Sequence, residues 1–106
     1  TSAMSGAPPP GWAGYLIAKQ AMWGLTKSMA TELGPSGITT NMVSPGMTVT
    51  DLTAAIPSRT KEVEAHRTPM RRLATSQDTA EFVVFLAGNG AGYINGANLP
   101  VAGGPL

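Results

Sequence analysis

Residues 13–46 read AGYLIAKQAMWGLTKSMATELGPSGITTNMVSPG, and the fold turns on how this stretch divides. From Ala13 to Leu33 the pattern is helical: Leu16, Met22, Leu25, Met29 and Leu33 recur at spacings of three, four and six. Gly34-Pro35 ends that helix, because proline lacks the amide hydrogen and its ring clashes with the preceding turn. Ile38 to Val43 is rich in β-branched residues and bounded by Gly37 and Pro45, which predicts a strand. Ser44 to Thr50 reads as a loop.

Outward from that core, residues 3–11 hold three consecutive prolines and read as loop. Thr50 or Asp51 is placed to cap a short helix over Leu52 to Ile56. Residues 57–75 are polar and proline-bearing, and predict one short helix at about 59–67 within a mobile segment. Thr75 and Asp78 form a capping-box variant that opens a helix running to about Leu86. Its FVVFLA segment is apolar nearly all round, so burial on more than one side is expected. A turn-rich run from Gly88 to Gly96 leads into a second short strand, Ala97 to Val101, and then Ala102-Gly103-Gly104. Tyr93 within that run is expected to pack.

The order is helix, strand, helix, helix, strand. Helices between strands imply parallel pairing with right-handed crossovers. A parallel sheet is buried on both faces and needs several strands, so two strands leave it incomplete. The class is therefore α/β, with further strands expected from chain upstream of Thr1.

Composition narrows the chemistry. The chain has 106 residues, 42% hydrophobic and only 12% charged, which indicates a globular chain whose surface is partly covered by other polypeptide. A net charge of +1 gives no field to attract nucleic acid or anionic lipid. Arg67, Arg71 and Arg72 cluster, and read as a solvated helix face or loop. With no cysteine and one histidine, His66, no metal site is expected. The longest apolar run, Phe82 to Ala87, is too short to span a bilayer, so no membrane partner and a cytoplasmic location are expected.

Tyr15 and Lys19 stand four apart on the first helix, hence on one face and within reach. A phenol with an ordinary pKa near ~10 is a poor proton donor or acceptor at neutral pH. A neighbouring ammonium favours the phenolate and makes tyrosine a usable general acid–base group. Alone, this spacing is also what an ordinary helix with an exposed lysine shows. Other features join it in order. Ser2 lies upstream across the proline loop. Asn41-Met42-Val43-Ser44-Pro45-Gly46 is followed by Thr48 and Thr50, and later come Gly92-Tyr93-Ile94-Asn95-Gly96 and Leu99-Pro100-Val101-Ala102-Gly103-Gly104.

That ordered series resembles the C-terminal half of the short-chain dehydrogenase/reductase family, in its 3-oxoacyl-carrier-protein-reductase-like branch. The resemblance runs from Ser2 to Gly104. It implies the C-terminal portion of a Rossmann-type doubly wound parallel sheet. Residues 1–106 would form the catalytic and substrate half of a single domain, whose cofactor-binding half lies upstream or on a separate chain. It implies an NAD(P)-dependent oxidoreductase acting on a small carbonyl or secondary alcohol substrate. Tyr15 would exchange a proton with the substrate oxygen, Lys19 would lower its pKa and bond the nicotinamide ribose, and Ser2 would hold the substrate oxygen. Pro45 and Gly46 would bring backbone close to the nicotinamide of NAD or NADP. The main chain of Thr48 and the hydroxyl of Thr50 would hold its carboxamide. Homo-oligomers through the 77–87 helix and last strand are implied as well.

Several residues depart from, or only imitate, the family pattern. Gly88-Asn89-Gly90-Ala91-Gly92 follows a helix and lacks the G-x-G-x-x-G spacing, so it is not the pyrophosphate turn. Without that turn, this stretch alone is expected to be inactive. Ala102 stands where the family usually has aspartate, and Ser36 replaces a basic residue common in enzymes acting on carrier-protein thioesters. Ser5 competes with Ser2 for its role, and Thr50 alone could be simply a helix cap. A non-catalytic assembly module that keeps the fold is the alternative reading. An independent small α/β binding domain ranks last, because its sheet would be incomplete.

Overall fold

The computed structural model describes residues 9–105. Helix α1 (Ala13–Leu33) leads through a 3-10 turn at Gly34–Ser36 to strand β1 (Met42–Pro45). After a 3-10 turn at Asp51–Thr53 come helices α2 (Ser58–Arg67) and α3 (Ser76–Leu86). A last 3-10 turn, Asn89–Ala91, precedes strand β2 (Asn98–Val101). The strands pair in parallel, with Met42 opposite Asn98 and Pro45 opposite Val101. This is the expected α/β order and pairing.

β1 is displaced from the predicted strand. Residues 38–41 do not join the ladder; the strand starts at Met42, where Asn98 supplies a partner, and runs on to Pro45. β-branched residues favour extended backbone, but a ladder exists only where a second strand lies alongside. The preceding backbone finds other partners. The Thr40 amide donates to Asn95 Oδ1 at 2.9 Å, and the Thr40 carbonyl accepts from the Gly96 amide at 2.8 Å. Asn41 clamps the other side of the same loop, donating from Nδ2 to the Ile94 carbonyl at 2.9 Å and accepting the Ala97 amide at 3.0 Å. Ser44, fully buried on β1, donates to Asn98 Oδ1 at 2.6 Å, so its hydroxyl is not stranded.

Helix α1 turns a different face inward from the one its largest apolar residues suggest. Leu16, Lys19, Trp23, Thr26, Ala30 and Leu33, spaced three and four apart, form the covered stripe. Ile17, Met22 and Leu25 are more than half exposed. Small side chains decide this. Asn95 Nδ2 reaches the Ala30 carbonyl at 3.0 Å, and a Cβ on Gly96 (φ +70°) would lie 3.3 Å from the Ala30 Cβ. Thr26 and Ala30 permit that approach where Met22 or Leu25 would not.

Helix α3 starts as its capping residues require. The Asp78 amide donates to Thr75 Oγ1, and Asp78 Oδ2 accepts from the Thr75 amide at 2.7 Å. Arg72 closes a two-pronged pair on the same carboxylate at 2.7 and 2.9 Å, so it is a structural partner and not the freely solvated charge expected. The two-sided burial expected of α3 is not met among the described residues. Phe82 and Leu86 are half-buried, whereas Val83, Val84 and Phe85 face outward. Tyr93, expected to pack, is fully exposed. Both are apolar surface that the described polypeptide does not reach.

Two stability predictions follow from these bonds. The Arg72 guanidinium, followed by the Thr75 amide and hydroxyl, holds the Asp78 carboxyl well below the usual carboxylate range. A depressed folded-state value stabilises above the unfolded value, near ~4, and that contribution fades as pH falls from there toward the folded value. Thermal unfolding of Asp78→Asn is therefore expected to show a lower Tm than wild type at pH 7. The gap should narrow steadily as pH drops below about 4. Replacing Asn41 by Ala strands the Ile94 carbonyl and the Ala97 amide, and is expected to cost about 1–3 kcal/mol in denaturant unfolding; a loss under about 0.5 kcal/mol would show that the clamp is dispensable.

Candidate active site

At the carboxyl ends of β1 and β2 lies a cavity of about 760 Å³. The crevice beyond the carboxyl ends of parallel strands is where α/β sheets generally take ligands, because the loops diverge there. Gly11 and Trp12 just ahead of α1 and Tyr15 in its first turn form one side, the end of β1 supplies Pro45, Gly46 and Met47, and α2 with the loop after it supplies Glu64, Arg67, Thr68 and Pro69. Leu52, Thr53 and Ile56 from the intervening turn, together with Ala102 and Pro105, complete the lining.

Tyr15 is 44% exposed and borders this cavity. Lys19 Nζ lies over its ring, 5.4 Å from the centroid, within the range of a cation–π contact. Trp12 meets the same ring edge-on, with centroids 5.3 Å apart and planes at 76°. Residues 12, 15 and 19 share a face because successive steps of three and four return to the same side of a helix. Phenol and ammonium therefore stand together beside the crevice that ends at the Pro-Gly bend.

Pro45 and Gly46 form the wall facing Tyr15. The Gly46 amide still donates to the Val101 carbonyl at 3.1 Å, one residue beyond the strand. Its missing side chain has an internal cause: a Cβ there would meet Ala102 Cα at 3.1 Å and Ala102 Cβ at 3.3 Å. Close approach of the two strand ends already requires glycine at this position, and Ala102 helps form the contact.

Thr48 and Thr50 serve the backbone. Thr48 Oγ1 donates to the Gly46 carbonyl at 2.9 Å, and the Thr48 carbonyl accepts from Thr53 Oγ1 at 2.7 Å. Thr50 caps the 3-10 turn in a reciprocal box with Thr53, whose hydroxyl accepts the Thr50 amide at 3.0 Å. Neither Thr48, Thr50 nor Lys19 lines the cavity; Thr53 does. Ser2 and its competitor Ser5 lie outside the described residues. His66 is exposed, and no group of histidine, cysteine or acidic side chains suited to a metal occurs among the described residues.

Sequence reasoning missed Trp12, Thr53 and the Glu64–Arg67 pair at the rim, whose charged atoms are 3.6 Å apart. Trp12 was within reach of the same spacing rule that singled out Lys19, since it precedes Tyr15 by one helical turn. The other residues arrive from segments whose placement depends on how the chain folds back. For the nicotinamide end of a dinucleotide, the arrangement fits: a phenol and a backbone bend border one crevice of ligand size, with the Lys19 ammonium over the phenol ring outside the lining. The described residues contain no glycine-rich turn between a strand and a helix, so they offer no cradle for a pyrophosphate.

Comparison with known proteins agrees with this geometry. A family profile described as enoyl-(acyl carrier protein) reductase matches residues 1–105. The chain is 43% identical over 95 residues to a 3-oxoacyl-[acyl-carrier-protein] reductase of Staphylococcus aureus, covering 90% of this chain and 39% of that protein. It is 42% identical over 94 residues to an acetoacetyl-CoA reductase of Allochromatium vinosum, covering 89% of this chain and 38% of the relative. Among solved structures, a short-chain dehydrogenase/reductase from Serratia marcescens superposes with a TM-score of 0.87 at 36% identity, over 98% of this chain and 42% of its own. The chain thus spans about two fifths of the length of the proteins it matches. The parallel strands, the tyrosine–lysine turn beside their carboxyl ends and these likenesses over nearly all of its length agree: the chain belongs to the short-chain dehydrogenase/reductase family.

Proposed function

We propose that this chain supplies the acid–base half of an NAD(P)-dependent oxidoreductase that interconverts a carbonyl and a secondary alcohol. The observation that carries the reading is the Tyr15 phenol at the cavity, with the Lys19 ammonium over its ring. Residues 1–106 form the C-terminal part of one Rossmann-type domain in this reading. The strands and glycine-rich turn that complete it come from elsewhere in the protein or from a separate chain. Second copies of the protein are further candidates to cover the apolar outer faces of α1 and α3.

The nicotinamide of bound NAD or NADP supplies or accepts the hydride. Tyr15 handles the proton. In reduction its hydroxyl gives a proton to the substrate oxygen as negative charge gathers there; in oxidation the phenolate takes that proton back. Lys19 is assigned to the phenol, over whose ring its ammonium lies, and to a second contact with the nicotinamide ribose. Ser2 is assigned to the substrate oxygen, where a hydroxyl donor would stabilise developing charge. Pro45 and Gly46 present backbone to the nicotinamide side of the crevice. The Thr48 main chain and the Thr50 hydroxyl are assigned to its carboxamide. Thr50 can cap its turn and make that contact together, because a hydroxyl both donates and accepts.

Support comes from the crevice's position at the strand carboxyl ends and from reductases related over most of this chain. In the complete protein, Tyr15→Phe is expected to lower kcat by about 10²–10⁴-fold with little change in substrate KM, since it removes the proton and leaves the ring. Lys19→Ala should lower kcat and weaken NAD(P)H binding together, with Lys19→Arg recovering part of both. Wild-type turnover by Tyr15→Phe would refute the assignment.

A further inference from the structure

Part of the cavity lining is apolar, and its exposure has no structural explanation among the described residues. Leu52 is 90% exposed and Trp12 44% exposed, and both border the cavity together with Met47 and Ile56. The ionised side chains in the lining are Glu64 and Arg67, which stand 3.6 Å apart and largely cancel each other's field. A substrate carrying its own carboxylate or phosphate would find no uncompensated cation among the lining side chains, the nearby Lys19 ammonium lying over the Tyr15 ring outside the lining. One carrying an uncharged apolar substituent would find four hydrophobic side chains in the cavity that Tyr15 borders.

Trp12 stands closest to the chemistry. Its carbonyl accepts the Leu16 amide at 2.8 Å, which fixes the residue at the head of α1. Its indole touches the Tyr15 ring edge-on while remaining open to the cavity. A group packed on that indole is held within one side chain of the phenol, so its neighbouring carbonyl or carbinol is the part brought to the Tyr15 hydroxyl.

We infer that Trp12 is a specificity-determining residue, and that with Leu52 and Ile56 it selects a ketone or secondary alcohol whose substituent is apolar, uncharged and broad enough to lie on the indole. The inference rests on the proposed reaction for the position of the oxygen, but the recognition itself is a binding property. Aromatic side chains suit the task because they offer large, rigid contact area and favour offset or edge-on aromatic partners.

The test is binding by the complete protein of two secondary alcohols of opposite character, 1-phenylethanol and lactate. It is measured calorimetrically with saturating NAD+ or NADP+, and in parallel as KM and kcat in oxidation. Wild type is expected to bind 1-phenylethanol at least tenfold more tightly than lactate. Trp12→Ala should weaken 1-phenylethanol at least fivefold and leave lactate unchanged, whereas Trp12→Phe keeps most of the preference. Leu52→Asp, on an exposed turn where folding has little to lose, should weaken the aryl alcohol in the same way. Equal affinity for the two alcohols, no binding of either, or a preference that survives both Trp12→Ala and Leu52→Asp overturns the inference. Preferential binding with undiminished turnover in Tyr15→Phe would instead leave the inference standing and remove the acid–base assignment.

Discussion

The short loop Ile94–Ala97 holds the described structure together, and two asparagine side chains do most of the holding. Asn95 bonds at once to the Thr40 amide ahead of β1 and to the Ala30 carbonyl in α1, while Asn41 grips the loop through Ile94 and Ala97. Each amide group offers both a donor and an acceptor, so one side chain can join two segments that share no ladder. Without this latch, β1 and β2 would have four residues apiece to define their register, too few for a pair of strands to hold alone. With it, β2 begins opposite Met42, and the two strands end level at Pro45 and Val101.

That register has chemical consequences. Because Pro45 and Val101 end level, Gly46 and Ala102 come within van der Waals contact, and the chain must bend away on both sides. The two departures open the crevice that Tyr15 borders. Thr48 and Thr53 then stiffen the exit of β1 with hydroxyl-to-carbonyl bonds, so the wall facing the phenol is built from satisfied backbone. The site is thus a by-product of strand alignment, with glycine and alanine placed where the strand ends meet.

What the sequence made legible was local. The extent of α1, the Thr75–Asp78 box, the Thr50 cap and the shared face of Tyr15 and Lys19 all depend on residues within one helical turn of each other, where spacing alone dictates contact. What it hid was mediated by distant segments. Asn41 and Asn95 stood in the motif series without a role, since their partners lie 53 to 65 residues away. The inward face of α1 was not legible for a related reason: hydrophobicity marks which side chains gain from cover, but the separation of backbones decides which can accept it. Thr26 and Ala30 are poor hydrophobes and good neighbours. Tyr93 and the outer side of α3 are apolar as read, yet the residues that would cover them are not among those described.

The way α1 is held also bears on the position of Tyr15. The latch seizes α1 near its end, at Ala30, whereas the phenol that matters is at residue 15, about 22 Å away along a helix rising 1.5 Å per residue. Between those points the helix depends for its orientation on the covered stripe that runs from Leu16 to Leu33. A tilt of only about 3° over that length moves the far end by about 1 Å, enough to spoil a reacting geometry. Gly24 lies in the helix interior, where glycine lowers helix stability. Trp12 and the lysine over the ring fix the phenol relative to α1, but not α1 relative to the Pro-Gly bend. The outer face, with Ile17, Met22 and Leu25, contributes nothing to that hold among the described residues. Any cover that this apolar face gains would steady the helix that carries Tyr15, because hydrophobic contact there would add to the hold that the Asn95 latch and the covered stripe already give.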